Sequence, residues 1–321
     1  MELRTKVALD DRGKRSISLR DTLEKAVKNE KPKIGSSKKT PSSLETPSFL
    51  MNYPLTVDNK VINNALMKKD QGPYNYKSAF KQWEDLYRMI VTEGSVVYVL
   101  PSEYPPLQDL PFVANLGCYL PHLKPDTIII SNFKSQPRKG EDDVGIKFFK
   151  MNNYAIHQPS THWEGEADLK WIKGNLYIGG YGIRTDEKSY SWMADKFNMN
   201  IITVKMEDPK LYHFDCQFFP ITSDKALAST SAFKPQDLKK IEKYMEITEV
   251  PKEFKYDGWT NSLKLGNKIL CGDIPNEKSI KAHDAIIEKM GYETVGINLD
   301  EFAKSGGDLS CLIMHLSYRG R

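Results

Sequence analysis

Ser305-Gly306-Gly307-Asp308-Leu309-Ser310-Cys311-Leu312-Ile313-Met314-His315-Leu316 is the stretch on which the reading of this 321-residue chain turns. Two adjacent glycines permit a backbone turn that side chains would forbid, and the apolar run after Cys311 has the length of a short buried strand. A thiol placed there stands where a turn meets a rigid element, a good perch for a nucleophile. The plainer alternative is that Cys311 is one more buried apolar residue, the commonest fate of a free cysteine.

Composition narrows the field. Basic residues number 46 against 42 acidic ones, a net charge of +4, so nothing demands a nucleic acid or an anionic membrane as partner. Cys118, Cys216, Cys271 and Cys311 have no C-x-x-C spacing, which argues against a structural zinc site and a disulfide framework and fits a reducing cytoplasm. The first residues carry charges every few positions in place of an apolar signal core, and no window of 18 residues is uniformly apolar. A soluble protein that is not secreted by that route is the expectation.

Residues 1–46 are rich in Lys, Ser, Pro and Glu and offer too little apolar surface to offset chain entropy, so they read as a flexible basic arm. Residues 47–321 read as one catalytic domain. Within it, apolar runs at 48–53, 95–100, 112–117, 127–133, 201–204, 268–271 and 294–299 predict strands. Helical spacing predicts helices over 74–91, after Arg184-Thr185 with Tyr190, Met193, Ala194 and Phe197, over 235–245 and over 281–290, the last ended by Gly291. The block from His162 reads as an acidic entry followed by a hairpin turning at Gly174-Asn175. Alternation over 211–220 predicts a strand with His213 and Asp215 on one face.

Histidine, carboxylate and cysteine together can make a nucleophilic site. A neutral thiol is a poor nucleophile, so a cation is needed near it, either an imidazolium or a positively charged substrate. Glu164, Glu166, Asp168 and Asp215 could surround such a cation, because carboxylate and guanidinium form a strong two-pronged pair. Each feature has a bland reading: His-x-Asp on a strand can be structural, and the run 164–168 can be a solvated loop.

In order along the chain, Trp163-Glu-Gly-Glu-Ala-Asp168, Gly180-Tyr-Gly-Ile-Arg-Thr185, Tyr212-His-Phe-Asp215 and Gly306-Gly-Asp-Leu-Ser-Cys311 resemble the guanidino-group modifying superfamily. Its members include arginine deiminase, dimethylarginine dimethylaminohydrolase and glycine amidinotransferase. Phe49-Leu-Met-Asn-Tyr-Pro54, the Trp83 helix, Phe112-Val-Ala-Asn-Leu-Gly117 and 133–141 extend the likeness to about residues 48–318. The resemblance implies an α/β fold, a five-fold pseudosymmetric β/α propeller (pentein) of ββαβ units in a single domain.

It also implies roles. Cys311 would attack the guanidinium carbon, giving a covalent thiouronium, and His213 would act as general acid and base. Asp215 would hold guanidinium nitrogens. Glu164 would contact substrate and histidine, with Glu166 a rival because 164–168 is one residue longer than the corresponding motif of the deiminases; Asp168 would close that motif. Asn115 stands where deiminases carry an aspartate, which puts simple arginine deimination in doubt. Arg184 and Arg138 are candidates for gripping a substrate carboxylate. No cofactor or metal is implied.

The leading expectation is thus hydrolysis of a guanidino compound related to arginine, with a small-molecule substrate and a homodimer as a compatible assembly. Transfer of the amidino group to an acceptor amine is the alternative. A non-catalytic binding protein on the same fold is the third.

Overall fold

The alternation of short apolar runs with amphipathic helices resolves into one motif used five times. In a computed structural model the described residues are 47–68, 71–102 and 107–319; the expected arm, residues 1–46, lies outside them. β1 (Ser48–Asn52) is followed by α1 (Tyr76–Thr92) and β2 (Val96–Leu100), and β1 and β2 are parallel. The next unit is β3 (Gly117–Tyr119), β4 (Thr127–Ile130), α2 (Glu141–Met151) and β5 (Ala155–His157). Then come β6 (Leu169–Lys173), β7 (Leu176–Tyr181), α3 (Glu187–Phe197) and β8 (Asn200–Lys205). The fourth unit is β9 (Phe218–Pro220), β10 (Lys225–Ala228), α4 (Pro235–Ile241) and β11 (Glu246–Glu249). The fifth is β12 (Ser262–Leu265), β13 (Lys268–Cys271), α5 (Glu277–Lys289) and β14 (Glu293–Gly296).

Every unit pairs its first two strands antiparallel and its second and third parallel across the helix. The first unit lacks its own leading strand. β15 (Met314–Ser317) supplies it by pairing antiparallel with β1, so the end of the propeller closes onto its beginning. This is the five-unit β/α propeller that the resemblance implied.

Local chemistry explains the elements. In α1, Ala79, Trp83, Leu86 and Ile90 recur at helical spacing and are buried, while Asn75 caps the start by accepting from the Ser78 N–H at 3.2 Å. Burying each large side chain of that stripe contributes about 1.5–3 kcal/mol. Asn276 caps α5 in the same way, accepting from Ser279 N at 2.9 Å, which is why that helix starts four residues before the apolar spacing predicted. α4 ends at Ile241, short of the predicted 245. The sequence reading had no counterpart for α2, whose acidic first turn (Glu141, Asp142, Asp143) suits a helix N-terminus.

Two predicted strands are corrected. Val113–Asn115 is a single 3-10 turn and the strand starts only at Gly117. Likewise Phe214–Cys216 is a 3-10 turn, so His213 and Asp215 do not share a strand face. The turn is closed by Cys216 N–H donating to His213 O at 3.2 Å and held from below by Phe214 N–H donating to Asp168 Oδ1 at 3.0 Å. These are instances of a rule. A short turn precedes the first strand of each unit: Val113–Asn115, Gly165–Asp168, Phe214–Cys216, residues 259–261 and Ser310–Leu312. No helix among the described residues is long and apolar enough to cross a membrane.

Candidate active site

The five turns converge, and the residues they present make the site. Gly165 lets two of them touch: it has φ +68°, and a Cβ there would lie 2.5 Å from Ala114 O and 2.6 Å from the Asn115 carbonyl carbon. This close approach brings Glu164 beside the Asn115 turn.

Glu164 is fully buried. Its Oε2 accepts from His213 Nε2 and from Arg184 Nη1, each at 2.8 Å. Burial alone would raise its pKa, but the hydrogen bond to His213 and the Arg184 charge outweigh it and bring the carboxyl down to about 2. An ionised Glu164 requires a proton on Nε2 of His213, so the neutral imidazole keeps its lone pair on Nδ1. Asn115 Nδ2 lies 3.3 Å from that atom. The amide cannot be reversed, because Arg138 Nη1 donates to Asn115 Oδ1 at 2.6 Å.

Cys311 sits in the last turn and is 3 % exposed. Asn261 Nδ2 lies 3.5 Å from its Sγ, and the backbone N–H of Asp308 also favours the thiolate. Against these, burial first and the Asp215 charge second push the thiol up to about 12. The resting sulfur is therefore neutral at physiological pH. Asp215 is anchored next to it: Ser310 Oγ donates to its Oδ2 at 2.9 Å and Thr260 Oγ1 to its carbonyl at 2.9 Å.

A small cavity of about 10 Å³ has Cys311, Asn115, Arg184, Tyr212 and Asp109 in its wall. It is roofed by the loop after β1. Arg184 Nη2 donates to Asn63 O at 2.7 Å and Asn64 Nδ2 to Ser305 O at 2.9 Å. At this size the cavity is too small for a guanidinium, because one water-sized group alone needs roughly 10–15 Å³.

The other expected residues separate in space. Glu166 faces away from the cavity: its two oxygens meet the backbone N–H and Nδ1 of His315 on β15. Glu164 precedes the turn in a non-helical conformation and Glu166 lies within it, so one carboxylate meets His213 and the other His315. Asp168 lies under the site, accepting from Thr185 Oγ1 at 2.6 Å and from Phe214 N; burial raises its pKa to about 6. Neither lines the cavity. Arg138 does, but its guanidinium is engaged by Glu141, Asn115 and the carbonyls of Asp109 and Phe112, so its geometry is that of a brace. Two residues escaped the sequence reading, Asn261 beside the Cys311 sulfur and Asp109 in the cavity wall. Asn261 sits in a turn with no motif, and Asp109, 3 % exposed, precedes the Asn115 segment with nothing in its neighbours to mark it. Among the described residues no group of three His, Cys, Asp or Glu is placed to hold a metal ion.

Comparison with known proteins gives concordant findings. The sequence profile described as N,N dimethylarginine dimethylhydrolase, eukaryotic, matches residues 46–318. The bifunctional arginine dihydrolase/ornithine cyclodeaminase AgrE of Nostoc sp. is 25% identical over 278 residues, covering 84% of this chain and 38% of its own length. The chain thus spans less than two fifths of that relative. The N(G),N(G)-dimethylarginine dimethylaminohydrolase of Mycobacterium tuberculosis is 22% identical over 245 residues, 76% of this chain and 78% of that one. In structure, the N-terminal domain of the cyanobacterial arginine dihydrolase ArgZ, bound to product, superposes with a TM-score of 0.76 at 21% identity, covering 85% of this chain and 98% of that domain.

Proposed function

The chain belongs to the N,N-dimethylarginine dimethylhydrolase family, and from that premise we propose that it is a cysteine-dependent hydrolase of a guanidino compound, acting on a C–N bond of a linear amidine. The observation that carries the proposal is the assembly of Cys311, Asp215 and the 2.8 Å His213–Glu164 pair from three different turns into one buried cluster.

The steps follow from the groups present. A cationic guanidinium entering between Cys311, Asp215 and Glu164 supplies the positive charge that the neutral thiol lacks, lowering its pKa from about 12. The thiol proton passes to Nδ1 of His213, and the thiolate attacks the guanidinium carbon. Glu164 stabilises the imidazolium so formed. His213 returns its proton to the departing nitrogen, the C–N bond breaks and an amine or ammonia leaves. Water, deprotonated by His213, then adds to the thiouronium carbon, and the C–S bond breaks to free the ureido product and Cys311. For an unsubstituted guanidinium the balance is RNH–C(NH2)2⁺ + H2O → RNH–CO–NH2 + NH4⁺. Arg184 is the better fork for a substrate carboxylate, since its Nη2 holds only the loop carbonyl of Asn63 in the closed site. All four cysteines are free, in keeping with the cytoplasmic placement we propose.

A second reading has one observation in its favour. Asn115, buried at the site, is an uncharged amide where a carboxylate would demand a cation, so it does not reject a neutral ureido product. A second hydrolysis, RNH–CO–NH2 + H2O → RNH2 + CO2 + NH3, would turn arginine into ornithine. Incubation with arginine and its N-methylated derivatives, followed by mass analysis for citrulline, ornithine, ammonia and methylamines, tests both. Ornithine as end product favours the second reading and citrulline or a methylamine the first. Absence of all turnover, or turnover that survives Cys311→Ala, defeats the proposal.

A further inference from the structure

Glu166, Lys170 and His315 take no part in the cluster around Cys311, yet they share a second concavity of about 50 Å³. It lies among the leading strands of four units, with Lys170 and Trp171 from β6, Phe219 from β9, Leu263 from β12 and His315 from β15 in its wall. Its floor includes Thr260 and Ser310, members of the turns that carry the candidate site. Ser310 borders this concavity and its chain neighbour Cys311 borders the other.

Charge decides what the pit can hold. Glu166 and His315 satisfy each other through two contacts. Lys170 differs: it is 9 % exposed, it borders the pit, and neither a hydrogen bond nor an ion pair engages its ammonium among the described residues. Glu166 feels its charge but makes no ion pair with it. A lysine this deeply buried beside Trp171, Phe219, Leu263 and Tyr318 is unfavourable without a counter-charge in contact with its ammonium. The hydroxyls around it cannot serve an anion well, because Thr260, Ser262 and Ser310 all donate to protein acceptors. Their lone pairs and the Glu166 carboxylate would repel a second negative charge, so the occupant is a monoanion. At roughly 10–15 Å³ per water-sized group, the pit of about 50 Å³ has room for about three to five heavy atoms.

We propose that this axial pit binds a short-chain monocarboxylate, its carboxylate on Lys170 Nζ and its alkyl end against Trp171 and Tyr318. The site is distinct from the Cys311 cavity.

Sodium propionate, titrated into the full-length protein and followed by saturation-transfer NMR and calorimetry, tests this. Saturable binding is expected, with a shift of the Trp171 indole N–H resonance assigned through Trp171→Phe. Lys170→Gln should weaken binding about tenfold or more, the usual effect of deleting a buried charged hydrogen-bond donor, whereas Lys170→Arg should restore most of it. Cys311→Ala should bind propionate as the wild type does. The indole shift needs no Lys170 variant, so the proposal is testable even if Lys170→Gln does not fold. No saturable binding, equal affinity in Lys170→Gln, or loss of binding in Cys311→Ala would overturn it.

Discussion

Replacing Glu164 by glutamine keeps the shape of the side chain but removes the charge on which the His213 imidazole and the Arg184 guanidinium converge. The carboxyl falls from an ordinary 4.5 to about 2 in the fold. At about 1.36 kcal/mol per unit, that difference corresponds to about 3 kcal/mol of stability at neutral pH. The sign follows from the direction. A depressed carboxylate contributes fully above its unfolded value, and the contribution is lost as pH falls towards the folded one, here between about 5 and 2. At pH 3 about half of it or less should remain. Urea unfolding of wild type and Glu164→Gln at both pH values measures this directly. The stability gap should be about 3 kcal/mol at pH 7 and shrink to about half or less at pH 3. A gap that does not change with pH would refute the idea that Glu164 is a buried anion held by His213 and Arg184. The same variant should lose at least about 100-fold in kcat/KM, since the imidazolium formed during turnover would have no counter-ion.

Iodoacetamide labelling of Cys311 in the substrate-free protein should climb with pH beyond 10, because burial and the Asp215 charge push the thiol up to about 12; a plateau below pH 9 would contradict this. Asp215→Asn should speed that labelling at pH 8 while lowering turnover about 100-fold or more, since the carboxylate opposes the thiolate but attracts the guanidinium. Asn261→Ala removes the donor 3.5 Å from Sγ, and kcat/KM should fall about tenfold, consistent with loss of one hydrogen bond to a charged group. Gly165→Ala puts a methyl group 2.5 Å from Ala114 O at a positive φ, so thermal denaturation should show a loss of more than about 1 kcal/mol. An unchanged melting temperature would contradict the close packing of the two turns.

Much of this molecule was legible before folding because local rules dictate it. The stripe Ala79, Trp83, Leu86, Ile90 could only be one face of a helix, and Lys268 to Cys271 could only be a short strand. The four ordered motifs that end in Asp168, Thr185, Asp215 and Cys311 carried the resemblance from which the fold and the candidate nucleophile followed. What the chain's linear order could not contain is direction. His213 and Asp215 looked like neighbours on a strand, and only the 3-10 turn at Phe214–Cys216 sends one to Glu164 and the other to Ser310. Glu164 and Glu166 were equivalent as letters until the turn at Gly165–Asp168 gave one to His213 and the other to His315. Asn261 and Asp109 had no signal at all, because their roles come from partners 50 and 46 residues away, Cys311 and Asn63. Periodicity reports which residues share a face within one element; which faces meet is decided when five separate turns close around one axis.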